Sequence, residues 1–256
     1  MTRHTDTVDV AGVIFRLSCS YPKAGFWARR HAEFVTARRP DATVQIDYEE
    51  RFERRTRRPV DETSADAATV NRRGRVLLVS TGYYRATVDV ARGRVAVRMA
   101  AGFDVAGLMR TLAALWFAER GTLLLRAACF GVADSATLAC GLPDWATPPA
   151  ATAGWFAVTP RPGCVDVRPT PFLDRDGPPP VSGWRATRLW LPGATAGAQP
   201  IGAALALRAL LPSIWQADRR RAAVERTLDL ATRVVTALRC RQVDAANPAR
   251  EEAAVG

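Results

Sequence analysis

The sequence predicts an α/β (α+β) fold, a mixed twisted sheet with flanking helices. Three observations carry that expectation. The first hundred residues hold short runs that alternate apolar and polar positions, the strand period. One stretch near residue 110 repeats its apolar residues at helical spacing. The C-terminal part, after a middle rich in proline and glycine, is again helical in pattern.

Val8 to Leu17 ("VDVAGVIFRL") reads as one strand, and Thr43 to Phe52 ("TVQIDYEERF") as a half-buried one. Between them "GFWARRHAEFVTA" sets Phe26, Trp27, Phe34 and Val35 at helical spacing, so a short helix is expected. Residues 53–70 read as a solvated loop. A meander follows: "GRVLLVST" (74–81), "YRATVDVA" (84–91) and "RVAVRMA" (94–100), the last two joined as a hairpin at Arg92-Gly93. Next, "FDVAGLMRTLAALWFAERG" puts Val105, Leu108, Leu112, Leu115 and Trp116 on one stripe with Gly121 as a stop. It leads into the apolar strand "TLLLRAACFGV", a turn, and the short strand "ATLAC". In the middle, "GWFAV", "GCVDV" and "RATRLWL" are short strands. Ile201 to Trp215 is a helix broken at Pro212, and Arg219 to Arg239 a second one with Val224, Leu228, Ala231, Val235 and Leu238 on one face. The organisation read from these elements is a β-rich region over 1–82, a core over 83–243 and a frayed tail over 244–256.

At 256 residues and 48% hydrophobic, the chain can bury a substantial core. No apolar run approaches the ~18–20 residues of a membrane span, and "MTRHTDTVDVAGV" lacks a signal-peptide apolar block. A soluble cytoplasmic protein is expected, with no membrane partner. The five cysteines contain no CxxC pair, so reduced, mostly buried thiols are expected. The two histidines, His4 and His31, leave few places for a metal site or a histidine-based catalytic pair. A net charge of +11 raises nucleic-acid binding. However, Lys23 is the only lysine, and alanine is abundant, so much of the arginine follows the codon usage of a GC-rich genome. The clusters Arg54-Arg55-Thr56-Arg57-Arg58, Arg72-Arg73-Gly74-Arg75 and Arg219-Arg220-Arg221 lack the interleaved aromatics of a stacking platform. Nucleic acid is therefore the less favoured partner.

The order of elements resembles the bacterial HPr kinase/phosphorylase-like proteins, which share a nucleotide-binding core with phosphoenolpyruvate carboxykinase. The matching residues are Gly121-Thr122-Leu123-Leu124-Leu125 with Ala127, the strand ending at Gly141, and the Thr170-Pro171-Phe172 turn. The resemblance runs from residue 83 to residue 238. It implies a phosphate loop after the second strand and, in active members, ATP-dependent phosphorylation.

The residues of that loop depart from the pattern. A phosphate loop needs glycines that aim backbone N–H groups into one concavity, a lysine for the β/γ phosphates and a hydroxyl for magnesium. Counted from Gly141, the second glycine falls on Ala146, the lysine on Thr147 and the hydroxyl on Pro148. Proline supplies neither hydroxyl nor N–H. Asp144 would set a carboxylate against phosphate charge, costing on the order of 1–4 kcal/mol at ~4 Å. Arg126 replaces the family's histidine, and the acidic segment maps to "WFAVTPRPG" (155–163), which has no carboxylate.

The expectation is a catalytically inactive, pseudokinase-like protein that recognises a peptide or protein partner, with no cofactor, no metal and no ATP bound. The degenerate loop positions are Gly141, Asp144, Trp145, Ala146, Thr147 and Pro148. The candidate partner groove is Arg126, Trp155, Arg161, Arg168, Thr170, Phe172 and Trp184, since Trp and Arg are enriched at interfaces. An oligomer is compatible with the sequence. Two other readings stand beside this one. An active kinase would use Arg126, Arg161 or Arg168 in place of lysine, with Asp166 or Asp174 for metal. A nucleic-acid binder would use the arginine clusters.

Overall fold

The computed structural model describes residues 4–20, 31–49, 68–100, 105–131, 135–141, 151–174, 183–193 and 199–244. They form a mixed α/β structure with two mixed sheets and three helices, most of it strand. The chain divides into two compact units, Met1–Trp116 with Gln216–Val224, and Phe117–Trp215 with Glu225–Gly256.

The first unit holds a seven-stranded sheet ordered β1-β2-β3-β7-β6-β5-β4. Its strands are β1 (His4–Val10), β2 (Val13–Cys19), β3 (Ala42–Glu49), β4 (Thr69–Arg73), β5 (Val76–Ser80), β6 (Tyr84–Asp89) and β7 (Arg94–Ala100). β3 runs parallel to both β2 and β7, and the other neighbours are antiparallel. The single strand expected over Val8–Leu17 is instead a hairpin, with Val10 opposite Val13. Ala11 and Gly12 both take positive φ, 51° and 93°, the two-residue turn that matches strand twist. Asp9 Oδ1 accepts the Gly12 N–H at 2.6 Å and fixes the corner. Strand β4 is a further difference: its first two residues, Thr69 and Val70, fall in the expected loop, and its last three in no expected element. The described part of the expected 25–37 helix is a 3₁₀ turn at Ala32–Phe34, after which Val35 bridges Val8; Phe26 and Trp27 lie outside the described residues.

Helix α1 (Val105–Glu119) matches its expected stripe, and it is buried along almost its whole length. That explains why it is apolar nearly all round. The Tyr84 hydroxyl donates to Thr111 Oγ1 at 3.1 Å, and the Thr111 hydroxyl donates to the Gly107 carbonyl. Phe15 meets Trp116 edge to face at 5.5 Å. These contacts tie α1 to β6 and β2 inside the first unit.

The second unit contains β8 (Leu123–Phe130), β9 (Ala136–Ala139), β10 (Thr152–Arg161), β11 (Cys164–Leu173), β12 (Trp184–Gly193), β13 (Gln199–Pro200) and β14 (Arg239–Asp244). Their order is β11-β10-β8-β9-β12-β14-β13. The first residues of β12 also pair with β11, so β11, β10, β8, β9 and β12 close a ring of pairings. The face with Leu123, Leu125, Phe156, Val158, Val165, Val167, Leu189 and Leu191 is apolar and buried. It shares one core with α2 (Ala203–Leu210) through Ala206 and Leu210, and with α3 (Arg221–Ala237) through Leu230, Ala231, Val234 and Val235.

The break at Pro212 appears as a 3₁₀ turn, Leu211–Ser213, directly after α2. The stripe expected on the last helix is partly corrected: Leu228 is 36% exposed, and Leu230 and Val234 take the buried positions. β14 corrects the expected end of the helical region, since residues 239–244 form a strand parallel to β12. Thr170-Pro171-Phe172 lies inside β11 at a register shift, not at a turn between elements. No described helix is long and apolar enough to cross a membrane.

Candidate functional site

Gly141 ends the segment after β9, exposed and at φ 71°. Asp144, Trp145, Ala146, Thr147 and Pro148 lie outside the described residues. The strands on either side still constrain the segment. β9 and β10 both run antiparallel to β8 and flank it on opposite sides. Ala139 sits opposite Ala128 and Thr152 opposite Cys129, so the connection leaves and re-enters the sheet at nearly the same level.

A phosphate loop counted from Gly141 would end at Pro148, and β10 begins at Thr152. Only Pro149, Ala150 and Ala151 lie between. A phosphate loop runs into a helix whose N-terminal N–H groups and dipole hold phosphate, and here the strand β10 begins four positions after Pro148.

Past the end of β9, the edge of β8 is met by other residues. Leu125 bridges Ile214, and the Trp215 N–H donates to the Leu124 carbonyl at 2.9 Å. Trp215 then packs edge to face on Trp155, ring centres 5.2 Å apart. Trp215 was absent from the candidate residues. The signal available was its place after Pro212, where the chain must leave the helix.

Cross-strand register assigns the remaining candidates to faces. Arg126 lies opposite Trp155, Ala157 opposite Arg168, and Thr159 opposite Asp166. Since side chains alternate along a strand, Arg126, Trp155, Arg161 and Arg168 share the outer face, away from the apolar core. Arg126 is 3.6 Å from Asp174, and the Arg161 Nε–H donates to Asp166 Oδ2 at 2.8 Å. Trp184 falls on the opposite, core-facing side, with its ring 5.9 Å from Phe156, so it lines no groove with those four.

Thr170 and Phe172 are buried in the irregular part of β11. The Thr170 hydroxyl donates to the Trp155 carbonyl at 2.5 Å and accepts the Phe172 N–H at 3.3 Å. Thr170→Val keeps the shape and removes both hydrogen bonds, each worth about 0.5–1.5 kcal/mol net. The expected result is a lower urea midpoint with an unchanged denaturant slope.

All five cysteines are free thiols, and Cys129, Cys140 and Cys240 gather around the second core. Burial pushes Cys129 up to about 12 and Cys240 up to about 11. Cys140 is raised still further, first by burial and then by those two neighbours. Such thiols stay protonated and unreactive near neutral pH. Among the described residues no three of His, Cys, Asp and Glu are placed to hold a metal ion.

The arginine clusters are partly engaged or undescribed. Arg54 to Arg58 lie outside the described residues. In the β4–β5 turn, the Arg72 Nε–H donates to the Gly74 carbonyl at 2.8 Å, and Arg75 is 3.3 Å from Asp89. Arg220 is held by Asp218, whose Oδ1 accepts both the Arg220 backbone N–H at 3.0 Å and its Nε–H at 2.9 Å. No family model matches the chain, and no curated protein gives a significant match.

Proposed function

We propose that this chain is a non-catalytic binding or assembly protein, built on a degenerate HPr kinase-like core, that recognises a peptide or protein partner. The observation that carries the reading is the start of β10 at Thr152. A strand thus follows four positions after the last phosphate-loop position, where such a loop runs into a helix. The residue types support it independently, since Thr147 and Pro148 stand where lysine and the magnesium hydroxyl are needed.

The active-kinase reading meets a second obstacle in the same face. Two of its three substitute cations, Arg126 and Arg161, are each paired with one of its substitute metal ligands, Asp174 and Asp166, and only Arg168 is left outside such a pair among the described residues. Each pair satisfies charge that phosphate and magnesium would have to displace. Because phosphoryl transfer depends on positioning and electrostatic stabilisation, those pairs favour a binding role.

Incubation with radiolabelled ATP and magnesium, alone and with serine-containing peptides, tests the reading. It predicts no label transfer and no phosphate release above a no-protein control. Turnover that depends on both magnesium and protein concentration would overturn it.

A further inference from the structure

We propose that the outer face of the second unit's sheet, centred on Arg188, Arg239 and Arg241, docks an acidic peptide segment of a partner protein. The inference rests on the reading of the chain as a peptide-binding protein and names the chemistry of its partner.

Arg188 lies directly opposite Arg239, and Trp190 opposite Arg241, in the parallel pair β12–β14. Trp190 belongs to the small cluster with Phe130, Ala128 and Ala139, on the side of the sheet away from the main core. All three arginines therefore project from that outer side. Adjacent strands lie about 4.8 Å apart, so Arg188 and Arg239 place two permanent positive charges side by side. Like charges directly opposite are unfavourable in a sheet.

No described carboxylate relieves them. The ion pairs of this face among the described residues are Arg126–Asp174 and Arg161–Asp166, and neither includes Arg188, Arg239 or Arg241. The same holds for Arg168 and for Arg185, which pairs in register with Asp166 across β11–β12. Arg168, Arg185 and Arg239 are exposed, and Arg188 and Arg241 half-buried. A row of guanidinium groups from β11 through β12 to β14 thus takes part in no described ion pair, the one facing carboxylate, Asp166, being engaged by Arg161.

A carboxylate bridging Arg188 and Arg239 would turn the repulsion into two charge-assisted hydrogen bonds. Peptide carboxylates fit better than a nucleic-acid strand, which needs open aromatic faces for its bases. On this face Trp190 is 2% exposed and Trp155 is met by Trp215. The occupant with matching chemistry is an extended segment carrying several Asp or Glu residues.

Fluorescence anisotropy with a short labelled peptide of alternating glutamate and glycine tests this on the full chain without nucleotide. Saturable binding is expected, weakened at least about tenfold in the triple variant Arg188→Gln, Arg239→Gln, Arg241→Gln. The control Arg72→Gln, Arg73→Gln, on the first unit, is expected to bind as wild type does. Removal of the opposed charges predicts a Tm for the triple variant no lower than that of wild type. Arg241→Gln alone, which leaves the opposed pair in place, is expected to bind several-fold more weakly.

No peptide binding by wild type, equal binding by the triple variant, or preferential binding of single-stranded DNA through the same arginines would each overturn the proposal. Peptide binding together with ATP turnover would leave the docking face standing and sink the non-catalytic reading instead. Absence of both would do the reverse.

Discussion

Gly93→Ala is expected to destabilise the first unit by about 2–5 kcal/mol. Gly93 ends the connection between β6 and β7 at φ 61°, and a Cβ there would sit 2.1 Å from the Asp41 carbonyl oxygen. Asp41 cannot easily retreat. Its N–H donates to the Ile14 carbonyl at 2.8 Å, and its Oδ2 accepts the Ile14 N–H at 2.8 Å. The left-handed backbone costs an L-residue about 1–2 kcal/mol, and forcing two segments apart adds about 1–3 kcal/mol. Gly74→Ala separates the two contributions, because Gly74 has nearly the same φ, 59°, and nothing within 4 Å of its Cβ. Urea denaturation should show a markedly larger loss at position 93. Equal losses at the two positions would mean that the contact with Asp41 is not rigid.

Phe156→Ala is the second large effect, expected to cost about 3–5 kcal/mol as a buried aromatic deletion. Phe156 is 0% exposed, lies opposite Leu125 on one side and Pro169 on the other, and meets Trp184 edge to face. It belongs to the core that residues of β8, β9, β10, β11 and β12 share, so a cavity there borders several strands at once. Collapse is difficult where each neighbour is held in a hydrogen-bonded ladder. The expected readout is a lower thermal midpoint together with altered tryptophan fluorescence from Trp184. A loss below about 1 kcal/mol, as at a site that repacks freely, would argue against a tightly packed core here.

Strand and helix identity was largely legible from periodicity, and the failures have physical causes. The β1–β2 hairpin was hidden because both strands keep the two-residue period and only Ala11-Gly12 marks the corner. β14 was hidden because "RCRQVD" offers one large apolar residue, Val243, and gains its place from pairing with β12. Leu230 and Val234 displaced Leu228 from the buried stripe, a rotation of the helix that the sequence pattern alone does not choose between.

The candidate site was legible in part for a related reason. The wrong residues for phosphate at Thr147 and Pro148 could be read directly. That a strand follows so soon after them needed the start of β10. The shared face of Arg126, Trp155, Arg161 and Arg168 needed strand register, where a slip of one residue exchanges the two faces. The same holds for the opposed Arg188 and Arg239, which are far apart in sequence and adjacent only through a parallel pairing.

The proposal that the segment after β9 binds no nucleotide is met most directly by isothermal titration calorimetry of the full chain with ATP and magnesium. The account predicts no saturable heat at millimolar nucleotide, with or without magnesium. A saturable isotherm that vanishes when magnesium is removed would contradict it.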